Sequence, residues 1–166
     1  MQTESSNIEA NREIHITRII DTPCHLVFEA WSNPEHLKKW YAPQGCTIDI
    51  PTLDFKEGGV MHTCVRTLMG ECWCKGVYKE IVPNEKIVFS IAFSDEAGNL
   101  VDNPPIGKDP EWPLETIVTV TFKEENGKTK FTLHQTALES VAKRTGAYSS
   151  WLQMFERLEE LVTIQK

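Results

Sequence analysis

Residues 114–135 read LETIVTVTFKEENGKTKFTLHQ. Two β-prone runs flank Asn126-Gly127, a pair suited to a two-residue hairpin because both residues tolerate positive φ. Placing Glu125 opposite Lys128 sets Phe122 against Phe131 and Val120 against Leu133, so turn chemistry and apolar pattern select the same register. An antiparallel sheet with one apolar face follows. A second hairpin lies upstream, where Val60 to Thr67 and Glu71 to Val82 flank Leu68-Met69-Gly70. Read as a three-residue loop with glycine at its left-handed position, this pairs Thr67 with Glu71. Met61, Thr63, Val65, Trp73, Lys75, Val77 and Ile81 then share the side expected to be buried. His62, Cys64, Arg66, Cys72, Cys74, Tyr78 and Glu80 share the other.

Further strands are read at Arg12 to Ile20, with Ile14, Ile16 and Ile20 on one face, at Cys46 to Asp54, and at Lys86 to Ser94. In the last of these Ile87, Phe89, Ile91 and Phe93 alternate with smaller or polar residues. Two short helices are expected over Pro23 to Lys39, the second opened by Ser32-Asn33-Pro34-Glu35, a cap followed by proline at the first helical position. From Gly146 to Ile164 the spacing is helical, with Ala147, Trp151, Met154, Phe155, Leu158, Leu161 and Val162 on one face. A six- or seven-stranded sheet with one apolar face needs a cover, and this long helix carries the largest apolar stripe, so it is placed across the concave side. The expected fold class is α+β, with residues 12–166 forming one domain behind a polar tail, residues 1–11.

The chain has 166 residues, 40% of them hydrophobic, and a formal net charge of -7. That balance offers phosphate backbones no general attraction, so nucleic acid is not expected as a partner. No apolar run is long enough to span a bilayer, and the start lacks the basic and apolar regions of a secretory signal. Five cysteines, an odd number without small-scaffold spacing, suit reduced thiols. A cytoplasmic location is the expectation.

The order of strand, two short helices, run of antiparallel strands and long helix is the helix-grip arrangement. The motif AWSNPEHLKKWYAP at 30–43 gives it a family likeness, joined by FKEGG at 55–59, GVYKEIVP at 76–83, KIVF at 86–89, and Trp151 with Leu158 in the last helix. The chain resembles homologues of the activator of the heat-shock protein 90 ATPase, within the superfamily of START, birch-pollen-allergen-like and polyketide-cyclase-like (SRPBCC) domains. One departure is Ser150, where a glycine commonly precedes the tryptophan. The resemblance implies ligand binding in some branches, cyclase or dehydratase chemistry in others and chaperone activation in a few.

Candidate ligand-binding residues are Met61, Thr63, Trp73, Phe89, Ile91, Phe93, Gln135, Trp151 and Phe155, large apolar groups with a few polar ones, as small-molecule pockets require. Trp112 joins them as the anchor of a loop, Asp95 to Pro113, long enough to serve as a lid. His62, Cys64, Cys72 and Cys74 form a possible soft-metal set or, through Cys64 and Cys74, a strained disulfide. Their spacing matches no common zinc motif, so small unpaired thiols, with no metal and no cofactor, are expected. Glu80, His62, His134 and His15, the acid-base candidates, all fall on the outer face. Lys75 is the single charge directed inward. The first expectation is a non-enzymatic module binding a small hydrophobic or amphipathic molecule. A cyclase- or dehydratase-like enzyme and a chaperone activator are the alternatives, and a chaperone or a second copy of the chain are the macromolecular partners considered.

Overall fold

Alternation along the strands and helical spacing elsewhere give seven strands and four helices in a computed structural model, which describes residues 12–68, 70–101 and 109–164. The expected tail (1–11), Met69 and the loop segment with Pro104 and Pro105 lie outside the described residues. The elements are β1 (Glu13–Ile20), α1 (Cys24–Ser32), α2 (Pro34–Trp40), β2 (Thr47–Leu53), β3 (Val60–Thr67), β4 (Gly70–Val82), β5 (Lys86–Phe93), β6 (Glu115–Glu125), β7 (Lys128–Leu138), α3 (Glu139–Thr145) and α4 (Ala147–Ile164). They form one curved antiparallel sheet in the order β1-β7-β6-β5-β4-β3-β2. The chain leaves β1 at one edge, crosses through α1 and α2, and re-enters at the other edge as β2.

Local chemistry fixes the crossing. The Asn33 side chain accepts the Glu35 N–H at 2.9 Å, Pro34 opens α2, and Lys38 and Lys39 lie in its last turn, where the helix dipole favours cations. The Trp40 indole donates to the Ala30 carbonyl at 2.9 Å and locks the two helices together. The long helix α4 lies across the concave face, as expected from its stripe. Phe155 meets Phe131 edge-on at 4.8 Å, and the Arg157 guanidinium donates to the carbonyls of Ala42 and Pro43.

The β6–β7 hairpin takes the expected register, with Glu125 paired to Lys128, Phe122 to Phe131 and Val120 to Leu133. Asn126 and Gly127 have φ of 54° and 80°, as a type I′ turn demands. The β3–β4 hairpin corrects the sequence reading by one residue. Thr67 pairs with Gly70 and Cys64 with Trp73, because the loop is one residue tighter than the glycine position suggested. Since side chains alternate, this single step turns the start of β4 over. Cys72, Cys74 and Tyr78 face inward, whereas Trp73, Lys75 and Val77 take the outward parity. A bulge between Tyr78 and Glu80 restores the expected phase, and Ile81 falls in register with the core residue Ile87. The short helix α3 lacks a long apolar stripe and was not expected. It ends on Gly146, whose φ of 89° makes the corner into α4.

Candidate functional site

Inward-facing residues on β3 and β4 are small along one stretch: Thr63 and Val65 on β3, then Cys72, Cys74 and Gly76 on β4. Gly76 has no alternative, because a Cβ there would lie 1.9 Å from the Ser90 carbonyl oxygen. Small walls leave space. A cavity of about 800 Å³ opens between these strands and the first half of α4. Met61, Thr63, Ile91, Phe93, Trp112, Gln135 and Trp151 all line it. Phe89 and Phe155 are buried in the packed core instead, and Trp73 faces the other side of the sheet, as the β3–β4 register requires. The wall also includes Tyr41, Val65, Cys72, Cys74, Ser150 and Met154, with Lys75 contributing beside Gly76. Correct parity on β4 would have found the two cysteines from sequence. Tyr41 was visible only as part of the helical motif that ends in Tyr41-Ala42-Pro43.

The polar groups of the cavity form a chain. Trp151 Nε1–H donates to Gln135 Oε1 at 2.8 Å, and Gln135 Nε2–H donates to Thr116 Oγ1 at 2.9 Å. These bonds fix the Gln135 amide and leave it one N–H and one acceptor site. Neither the Thr63 hydroxyl nor the Tyr41 phenol makes a hydrogen bond to another described residue. Burial, reinforced by Cys74 and Tyr78, raises the Tyr41 pKa well above its ordinary value, so the phenol stays protonated and can donate. The Tyr78 phenol is raised by burial as well and donates to Met61 Sδ at 3.5 Å.

At the rim, the Asp109 carboxylate takes a hydrogen bond from Arg144 Nε at 2.8 Å, and Glu111 Oε1 lies 3.4 Å from the same guanidinium. The Arg144 guanidinium holds the Asp109 carboxyl below its usual range. Both charges are therefore committed to a clasp that fastens residues 109–112, and with them Trp112, to the corner between α3 and α4. Asp109 and Arg144 both line the cavity rim, and a fully ionised clasp is not poised for proton transfer.

The outer face of β3 and β4 has a separate cluster. Glu71 accepts from Trp73 Nε1 at 3.1 Å and Cys64 Sγ at 3.4 Å, and pairs with Arg66 at 3.0 Å. Burial, helped by the Glu71 hydrogen bond, pushes the Cys64 thiol up to about 11. His62 packs on Trp73 with ring centroids 5.1 Å apart. The set His62, Cys64, Cys72 and Cys74 is thus split between two faces. Neither its proposed convergence nor a Cys64–Cys74 disulfide is possible in this register. No group of three or more His, Cys, Asp or Glu side chains arranged to hold a metal occurs among the described residues. Of the acid-base candidates, His134 pairs with Glu13 at 2.8 Å and Glu80 with Lys86 at 3.0 Å, both on the outer surface. No helix among the described residues is long and apolar enough to cross a membrane.

The sequence model for activator of Hsp90 ATPase homolog 1-like proteins matches residues 21–163. Among solved structures, a Chromobacterium violaceum protein is 22% identical, covers 90% of this chain and 95% of its own, and superposes with a TM-score of 0.74. A Staphylococcus epidermidis protein at 20% identity, covering 93% and 91%, gives 0.77. The AHSA1 protein of Silicibacter pomeroyi, at 14% identity and covering 93% and 100%, gives 0.71. Such identities speak to the fold. No curated protein matches the sequence.

Proposed function

The chain belongs to the activator of Hsp90 ATPase homolog 1-like family, and from that premise we propose that it is a binding module for a small hydrophobic or amphipathic molecule. The supporting observation is the cavity itself. Its volume of about 800 Å³ falls in the range of small-molecule sites, about 300–1,000 Å³. Apolar side chains dominate the wall, and a few fixed polar groups supply orientation. Thr63, Tyr41 and the remaining positions on Gln135 offer both donors and an acceptor to one end of a ligand whose body packs on Ile91, Phe93 and Trp151. Family membership agrees, since domains of this superfamily often bind hydrophobic ligands.

A ligand that binds only the folded chain raises its stability by about 2.7 kcal/mol at one hundred times its dissociation constant. Melting the protein against a library of fatty acids, sterols and polyketide-like phenols is therefore a direct test, with native mass spectrometry recording the complex. The proposal expects one-to-one binders that raise the melting temperature and lose affinity in Thr63→Leu, which pushes apolar bulk into the cavity and removes its hydroxyl. If such binders are as tight in Thr63→Leu as in the parent chain, or if none is found, the reading fails.

A further inference from the structure

Cys72 and Cys74 lie two residues apart on β4, and both side chains line the cavity. Their sulfurs are 4.0 Å apart, and no disulfide joins them. Thr63 and Val65 stand opposite them on β3, and Phe93 opposes Cys74 on β5, so a largely apolar wall surrounds the pair. Two thioethers, Met61 and Met154, line the same cavity. The carboxylate at its rim, Asp109, is occupied by Arg144. The cavity also carries hydroxyl and amide oxygens, but the two thiols are the only such pair within bridging distance of one ion among the described lining residues.

We propose that Cys72 and Cys74 form a two-thiolate site for a soft monovalent metal ion, copper(I). Thiolates and thioethers select this ion over harder ones. Zinc would require four converging ligands, and no such set of His, Cys, Asp and Glu occurs among the described residues. With thiolate–metal bonds of about 2.3 Å, the length typical of zinc sites, an ion bridging the 4.0 Å gap has an S–metal–S angle of about 120°. Small rotations about the two Cα–Cβ bonds would open this toward the linear geometry of a two-coordinate ion. On binding, each thiol releases one proton to solvent and forms one S–Cu bond. The ion enters and leaves as copper(I), so no electron is transferred. The site depends on access to the cavity, and its existence is independent of whether an organic ligand also binds there.

The test uses the full chain, reduced and kept anaerobic, titrated with copper(I) buffered by bicinchoninate. Two variants separate this pair from the other thiols: a Cys24→Ser/Cys46→Ser/Cys64→Ser triple, and Cys72→Ser/Cys74→Ser. The triple variant should take up one equivalent with the affinity of the parent chain, and the double variant should bind at least 100-fold more weakly. In the parent chain, which needs no substitution, one equivalent of copper(I) should protect Cys72 and Cys74 from iodoacetamide, with peptide mapping as the readout. Equal alkylation of both cysteines with and without copper(I), or parental affinity in the double variant, would overturn the proposal. A parent chain that takes up no copper(I) while still binding an organic ligand would count against this site alone.

Discussion

One half of the sheet is filled and the other is hollow, although the same helix covers both. In the filled half, Trp31 is ringed by Trp40 at 4.6 Å, Phe131 at 5.8 Å and Phe89 at 6.1 Å, and Phe131 is closed off by Phe155. In the hollow half, the inward positions of β3 and β4 include threonine, cysteine and glycine, and the larger groups Ile91, Phe93, Tyr41 and Trp151 border the space instead of filling it. The difference comes from side-chain volume on β3 and β4. Helices α1 and α2 bring bulky rings to one half, while nothing equivalent among the described residues fills the other. The filled half holds the fold together, and the hollow half is free to specialise.

The sharpest way to break this contrast is to cut into the filled half. Phe131→Ala should destabilise the chain by about 3–5 kcal/mol, the range for a fully buried aromatic, measured by urea unfolding. A Thr63→Ala change of similar kind in the hollow half should cost far less. Next in size is Gln135→Leu, which keeps the volume but strands the Trp151 N–H and the Thr116 hydroxyl. Each buried polar group left unpaired costs about 1–3 kcal/mol, and ligand affinity should fall as well.

Adding volume should separate the halves by sign. Val120→Leu crowds the filled half and should cost about 1–3 kcal/mol. Thr63→Leu should be neutral or stabilise by about 0.5–2 kcal/mol, as cavity-filling changes do. Melting the two variants side by side checks this; a Thr63→Leu chain as destabilised as Val120→Leu would mean that the hollow half is tightly packed.

The smallest effect concerns pH at the edge of the filled half. Lys143 and Arg12 hold the Glu139 carboxyl below its ordinary range. A depressed folded-state pKa means that this stabilisation is present above the unfolded value and is lost as pH falls through the folded one. Glu139→Gln should therefore lower stability near neutrality, where the carboxylate is ionised and paired, and flatten the acid limb so that the two chains converge at low pH, as melting temperatures across pH would record.

The filled half was the more legible from sequence. Asn126-Gly127 dictates a turn with two positive φ values, and large apolar residues on both strands penalise any slip, so Phe122 and Phe131 could be paired without coordinates. Leu68-Met69-Gly70 has no comparable constraint. Glycine is compatible with either loop length there, and both faces of β3 and β4 mix polar with apolar residues, so hydrophobicity did not settle the register. A three-residue loop therefore points Trp73 inward and Cys72 and Cys74 outward, the reverse of the faces they take in the fold. The bulge after Tyr78 explains why Ile81 nonetheless fell correctly. Strand alternation points Phe89 inward and helical spacing points Phe155 inward, but neither periodicity says whether an inward ring packs or borders a space. That depends on what α1 and α2 bring across from the other side.

The five tryptophans sample the whole contrast. Trp31 and Trp40 lie in the filled half, Trp73 on the outer face, and Trp112 and Trp151 on the cavity wall. An ¹H–¹⁵N spectrum of their indole N–H groups, recorded while the best binder from the library is titrated in, reads all five at once. Binding in the hollow half should shift Trp151, whose N–H is held by Gln135, together with Trp112, and leave Trp31, Trp40 and Trp73 in place. A ligand that moved Trp73, or the Trp31 and Trp40 pair, while Trp151 stayed still would contradict the assignment of function to the cavity.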